Sequence, residues 1–238
     1  MAKIDELRPE TILCLGDIVG YGPEPRPCID EVRRRCPLCL CGNHDFAIIY
    51  GAEDFNPIAR AVLKYHRALI MPHGEDSSRK ARRQERWEFL KRLPHRHVRG
   101  QWLFVHGSPR NPVVEYLRKL DVLMGMKEKI QQNFELVDWL CFVGHTHRPG
   151  VITQDMRYLS PEDFDQVFVP QPHQKAIINV GSVGQSRDSD PRACFVTVTE
   201  EGHVHYHRVE YDLEAVATQI ECTPGMDPTL AERLREGK

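Results

Sequence analysis

Thr11-Ile12-Leu13-Cys14-Leu15-Gly16-Asp17-Ile18-Val19-Gly20-Tyr21-Gly22 decides the fold. Its first five residues form an apolar run that stops at Gly16, the pattern of a short strand buried on both faces. A carboxylate follows at once, inside a glycine-rich loop. An α/β protein carries its functional groups there, in loops at the carboxyl ends of its strands. Three later stretches repeat the arrangement. Leu38–Cys41 leads into Gly42-Asn43-His44-Asp45, the run ending at Val105 into His106-Gly107-Ser108-Pro109, and Trp139–Val143 into Gly144-His145-Thr146-His147. Asp, Asn and His offer hard oxygen and borderline nitrogen donors, which suit Mn²⁺, Fe or Zn²⁺. The four blocks together point to a metal-dependent hydrolase.

Outward from these blocks the pattern alternates strand and helix. Residues 1–10 read as the tail of a helix stopped by Pro9, and residues 26–35 as a helix closed by Pro37. Residues 57–70 place Ile58, Ala61, Val62, Tyr65 and Leu69 on one helical face, and residues 78–93 form a charged helix around Trp87, Leu90 and Leu93. The basic stretch Arg79 to Arg86 is interleaved with acidic residues and lacks an aromatic stacking platform, so it reads as a solvated face. Residues 97–105 form a hairpin or bend, and 121–136 one helix. Ile177–Val180 is a strand, and Ala193–Thr199 with His203–Tyr211 a hairpin about Glu201-Gly202. Residues 155–175 form a polar, proline-rich surface excursion, and 213–222 and 228–236 short terminal helices. Early alternation followed by late hairpins predicts mixed sheets, and the lack of a repeat or linker predicts one domain over 1–238.

Composition narrows the class. Among 238 residues, 32 are basic and 34 acidic, a net charge of −2 that argues against nucleic-acid binding by bulk electrostatics. No apolar stretch is long enough to span a bilayer, and the first residues lack the apolar core of a signal peptide, so a cytoplasmic location is expected. Eight cysteines without an export signal are expected to be free thiols. Cys36-Pro37-Leu38-Cys39 has no second C-x-x-C to complete a structural zinc site. His203, His205 and His207 alternate along a strand and lie about 6.6–6.8 Å apart, too far for one ion, so they read as a polar outer face, as do His66, His73, His95, His97 and His173.

The blocks resemble the calcineurin-like metallophosphoesterase superfamily, whose pattern runs D-x-H, G-D, G-N-H-[DE], H-G, G-H-x-H. Leu15–Pro23, His106–Arg110 and Gly181-Ser182-Val183-Gly184-Gln185 with Arg187-Asp188 resemble its small bacterial phosphoesterase branch. The resemblance implies a sandwich of two mixed β-sheets flanked by helices. It also implies two divalent ions (Mn²⁺, Fe²⁺/³⁺, Zn²⁺ or Ni²⁺) about 3.5–4 Å apart. Asp17 would bridge them, Asn43, His106 and His145 would complete one site, and His147 would serve the other. His44 would be the general acid or transition-state stabiliser in hydrolysis of a phosphomonoester, phosphodiester or dinucleoside polyphosphate by a metal-bound hydroxide. Arg110, Ser182 and Arg187 are candidates for phosphate contacts; ion pairing elsewhere is the competing role of each arginine.

Two departures sharpen the expectation. No Asp-x-His precedes Asp17. In the family that block completes the site served by His147, so this chain is expected to hold at most one ion tightly. Its helical beginning suggests a start assigned too far downstream. The alternative is an N-terminally truncated, catalytically weak metal- or phosphate-binding protein. Second, the protein phosphatases carry G-D-x-x-D-R-G, with an acid partner for the catalytic histidine and a phosphate-binding arginine. Gly20 and Tyr21 stand there in this chain, which disfavours that branch and leaves a small phosphate ester as the expected partner.

Overall fold

The computed structural model describes residues 1–74 and 77–238. In chain order the first elements are α1 (Ala2–Leu7), β1 (Leu13–Cys14), α2 (Pro25–Arg35), β2 (Leu38–Cys39) and α3 (Asn43–Tyr50). Next come α4 (Pro57–Ile70), α5 (Ser77–Lys91), β3 (Arg96–Arg99), β4 (Trp102–Val105), α6 (Lys119–Leu123) and α7 (Lys127–Glu135). Then follow β5 (Leu140–Val143), β6 (Gly150–Thr153), β7 (Tyr158–Leu159), β8 (Val167–Phe168) and β9 (Ala176–Asn179). Strands β10 (Ala193–Val198) and β11 (Val204–Val209) and helices α8 (Leu213–Cys222) and α9 (Thr229–Glu236) complete the chain. Two compact units result. One, rich in strands, comprises Met1–Pro9, His95–Tyr211 and Glu236–Lys238; the other, largely helical, comprises Glu10–Pro94 and Asp212–Arg235.

In the helical unit, β1 and β2 pair in parallel, Leu13 beside Leu38 and Cys14 beside Cys39. Ile18, Ile29, Ala47, Ile48, Leu63, Ile70 and Leu90 form the buried core around them. Proline at the start of α2 and α4 supplies the fixed φ that a first helical turn accepts. Asn56 caps α4, its Oδ1 accepting from the Ala59 N–H at 3.0 Å. Arg67 of α4 donates to the carbonyls of Ile48 and Ile49 near the end of α3, satisfying groups that a helix terminus leaves open.

In the strand-rich unit, a six-stranded mixed sheet runs β3-β4-β5-β9-β6-β7, with β4, β5 and β9 parallel. Every residue of β5, β6 and β9 is buried, as unbroken apolar runs require. An antiparallel sheet, β10-β11-β8, joins it through Tyr206, whose buried hydroxyl shares its one hydrogen between the carbonyls of Gly150 (3.2 Å) and Asn179 (3.0 Å). The fold is mixed α/β with mixed sheets and flanking helices, as expected. His203, His205 and His207 are half-buried and alternate with the buried Val204 and Tyr206. His207 shares a hydrogen bond with Thr197 Oγ1 at 2.8 Å.

The structure departs from the sequence reading at several places. Residues 155–175, expected as a surface excursion, instead supply β7 to the six-stranded sheet and β8 to the antiparallel one, and Phe168 is buried, because their scattered apolar residues pair and pack. Residues 121–136 are two helices rather than one, because Gly125 takes φ 65 and breaks the run. Strand β6, within 148–154, carries no period-2 signal because all four of its residues are buried. The run at residues 11–15 is only half-buried over β1, whose described ladder has β2 on one side. The buried face of α4 is Ala59, Val62, Leu63, His66 and Ile70, rotated by one residue from the expected stripe, and it takes a histidine inward. All eight cysteines are free thiols. Among the described residues no helix is long and apolar enough to cross a membrane.

Candidate metal centre

Asp17, Asn43 and His44 lie in the helical unit, where the loops after β1 and β2 are locked together. A β-carbon at Gly42 would fall 2.1 Å from Asp17 Oδ1, and one at Gly16 would fall 2.5 Å from Gly42 N, so neither position admits a side chain. Asp17 Oδ1 accepts the His44 backbone N–H at 2.9 Å. Asp45, fully buried, fastens both loops: Oδ1 accepts from Ile18 N–H and Oδ2 from Gly42 N–H, each at 3.0 Å. Asn43 and His44 open α3. The His44 ring has Tyr21 at 4.7 Å and the edge of Phe55 at 5.0 Å between centroids. Burial, with Asp45 and Asp17 nearby, pushes the Cys41 thiol up to about 12, so it stays protonated and unsuited to act as a thiolate.

His106, His145 and His147 lie in the strand-rich unit, at the carboxyl ends of β4 and β5. His106 Nε2 stands 3.2 Å from His145 Nδ1. Two nitrogens bound to one ion at about 2.0–2.1 Å lie roughly 2.9–3.4 Å apart, so the pair fits a shared cation. The opposite nitrogens of two rings are tied to carbonyls, which can only accept. His145 Nε2–H donates to Val114 O at 3.1 Å, leaving Nδ1 its lone pair. His147 Nδ1–H donates to Gln185 O at 2.6 Å, leaving Nε2 its lone pair. Tyr116 stacks on His145 with centroids 3.7 Å apart.

The loops under these histidines are equally fixed. Asn179, ending β9, donates to Gly144 O (2.6 Å) and Thr146 Oγ1 (2.9 Å). Glu115 accepts from Ser108 Oγ (2.6 Å) and Asn133 Nδ2 (3.1 Å) beneath the His106 loop. Burial pushes the Glu115 carboxyl upward, but hydrogen bonds from Arg110, Ser108 and Asn133 outweigh it and hold it below the ordinary range. Asp17, His145 and His147 all have φ between 52 and 60, and Tyr21 has φ 55. Left-handed backbone at non-glycine residues is sparse in proteins and gathers at functional sites.

The phosphate candidates differ. Arg110 is paired with Glu115 through Nε (2.9 Å) and Nη2 and reaches Gln132 as well. Arg187 donates to the Gln185 side chain (3.1 and 3.2 Å), and its backbone N–H to His147 O at 3.1 Å, so it adjoins the His147 loop. Ser182 Oγ accepts from Gly184 N–H at 3.1 Å within its own turn. The sequence reading passed over the supporting groups Asp45, Tyr116 and Asn179. The signal for Asn179 was available, a carboxamide closing the apolar run Ala176–Ile178; Tyr116 left none.

Residues 1–203 match the family model of the calcineurin-like phosphoesterase superfamily domain. The chain belongs to that superfamily. An uncharacterized protein of Methanocaldococcus jannaschii is 31% identical over 236 residues, 95% of this chain and 86% of that one. A metallophosphoesterase from Sphaerobacter thermophilus, known from its crystal structure, is 35% identical with a TM-score of 0.78, over 100% of this chain and 92% of its own. A hypothetical protein from Pyrococcus horikoshii shares the fold at 18% identity, with a TM-score of 0.69 over 100% of this chain and 90% of its own. This calcineurin-like domain is thus of the metal-dependent phosphoesterase type.

Proposed function

We propose that this domain hydrolyses a small phosphomonoester, phosphodiester or dinucleoside polyphosphate, with Asp17, Asn43, His106, His145 and His147 as metal ligands. The observation that supports it best is the His106–His145 pair, 3.2 Å apart with the outer nitrogen of His145 tied to a carbonyl. Family membership supports the phosphoesterase reading of these residues. When bound, divalent ions would polarise the phosphoryl oxygens and activate the attacking water. Asp17 would contribute the negative charge that holds them, and the neutral imidazoles of His145 and His147 would present the lone pairs of Nδ1 and Nε2 respectively. His44 would hand a proton to the departing oxygen. Arg187, beside His147, is the better placed of the two arginines for a phosphate contact, because Arg110 is already engaged by Glu115. A cytoplasmic setting and a small soluble substrate fit the balanced charge.

The test is hydrolysis of a chromogenic phosphodiester and monoester with Mn²⁺ by the chain and its Asp17→Asn and His44→Ala variants. Turnover that falls about 10²–10⁴-fold in His44→Ala is expected for loss of a general acid. Turnover no higher in the unaltered chain than in His44→Ala sinks the proposal.

A further inference from the structure

We propose that His66 of α4 is a positioning residue for His44, acting through the backbone of Gly20–Gly22; this rests on the phosphoesterase reading above. His66 is buried, and its two ring nitrogens grip one loop from both ends. Nδ1 accepts from the Gly20 N–H at 3.2 Å, and Nε2–H donates to the Gly22 carbonyl at 2.8 Å. These bonds require the neutral tautomer that carries its hydrogen on Nε2. Between them the loop is tightly folded, with Gly22 N–H donating to Gly20 O at 2.6 Å and left-handed backbone at Gly20 (φ 110) and Tyr21 (φ 55). Such backbone is unfavourable at a non-glycine residue and persists only where its surroundings enforce it. His66 supplies that enforcement from a rigid helix.

The loop is the wall on which the His44 ring rests. A β-carbon at Gly20 would stand 2.2 Å from His44 Nδ1, so the imidazole lies directly against the peptide backbone. Tyr21, the next residue, places its ring 4.7 Å from that of His44. With no side chain at Gly20, the ring packs on the peptide itself, and its placement follows that backbone together with the Tyr21 and Phe55 rings. His66 thereby sets the position of the catalytic imidazole through the backbone that it holds.

The experiment compares His66→Leu, which removes both hydrogen bonds, with His66→Gln, whose amide can accept and donate as the neutral ring does. Chromogenic phosphoester kinetics with Mn²⁺ are measured alongside the ¹⁵N resonances of the His44 ring. In His66→Leu, kcat is expected to fall roughly tenfold or more with KM unchanged, a displaced acid losing part of a contribution of about 10²–10⁴. The His44 resonances shift, and His66→Gln restores both toward the unaltered chain. If the leucine variant does not fold, His66→Asn, which keeps one bond, is expected to fall between. Full kcat in His66→Leu or His66→Asn, or His44 resonances that stay put in a folded variant, overturns the proposal. If the unaltered chain shows no turnover, the phosphoesterase reading fails on that result, while the His44 resonances still decide the role of His66.

Discussion

Tyr116 lies flat on the ring of His145, its plane 16° from parallel, while Val114, two residues earlier, accepts the His145 Nε2–H. One short segment therefore fixes both the tilt and the tautomer of that imidazole. Partners of this kind sustain roughly 10–100-fold in metal affinity. Tyr116→Ala is expected to weaken Mn²⁺ binding by about that factor, read by calorimetric titration, with the urea midpoint nearly unchanged. An unaltered affinity would show that His145 is oriented by other contacts.

Asp45 predicts a loss of stability. Its two oxygens satisfy the buried N–H groups of Ile18 and Gly42, and Asp45→Ala strands both. Each stranded donor costs about 1–3 kcal/mol, so the variant should lose roughly 2–6 kcal/mol in urea unfolding. Asp45→Asn keeps one acceptor and should lose less.

His66 predicts a pH dependence. Burial lowers its pKa to about 4, with a nearby His44 adding to the shift and the Gly22 carbonyl opposing it. Above the unfolded value near 6.5 the ring is neutral in both states and costs nothing. As pH falls from 6.5 to about 4, the unfolded chain takes up a proton that the folded chain refuses. Stability therefore declines across that window, by about 3 kcal/mol in full. Urea unfolding at several pH values should show this slope reduced in His66→Leu; equal slopes would mean that the ring titrates alike in both states.

Metal binding should also be visible without turnover. At Mn²⁺ a hundredfold above its dissociation constant, linkage adds about 2.7 kcal/mol, raising Tm by roughly 5–10 °C for a chain of this size. A chelator should reverse the rise, and His106→Asn or His145→Asn should abolish it. A rise that survives in both variants would place the ion elsewhere.

The apolar runs before Gly42, His106 and Gly144 made most of the architecture legible, because each strand ends where a glycine or histidine interrupts it. The metal-ligand candidates were legible for the same reason. What escaped were features whose cause is tertiary. Strand β6 lacks alternation because both its faces are covered. Gly125 divides a helical pattern that periodicity alone runs through. His66 has the same local sequence whether it faces solvent or grips a loop 44 residues away, and only packing chooses. Asp45 stood within a recognised block, yet its task became visible only once the Ile18 and Gly42 amides were seen to converge on it.

The left-handed backbone at Asp17, His145 and His147 restricts what may replace them. Asparagine is tolerated in that conformation, whereas a β-branched residue such as valine or threonine is not. Replacement by asparagine changes the charge or donor atom and leaves the turn standing; replacement by valine alters the chain path as well. The peptide skeleton thus acts as a sieve on the chemistry of these positions, passing carboxylate, carboxamide and imidazole and turning back most else. A survey of all substitutions at the three sites should find glycine and asparagine the variants most often folded yet inactive.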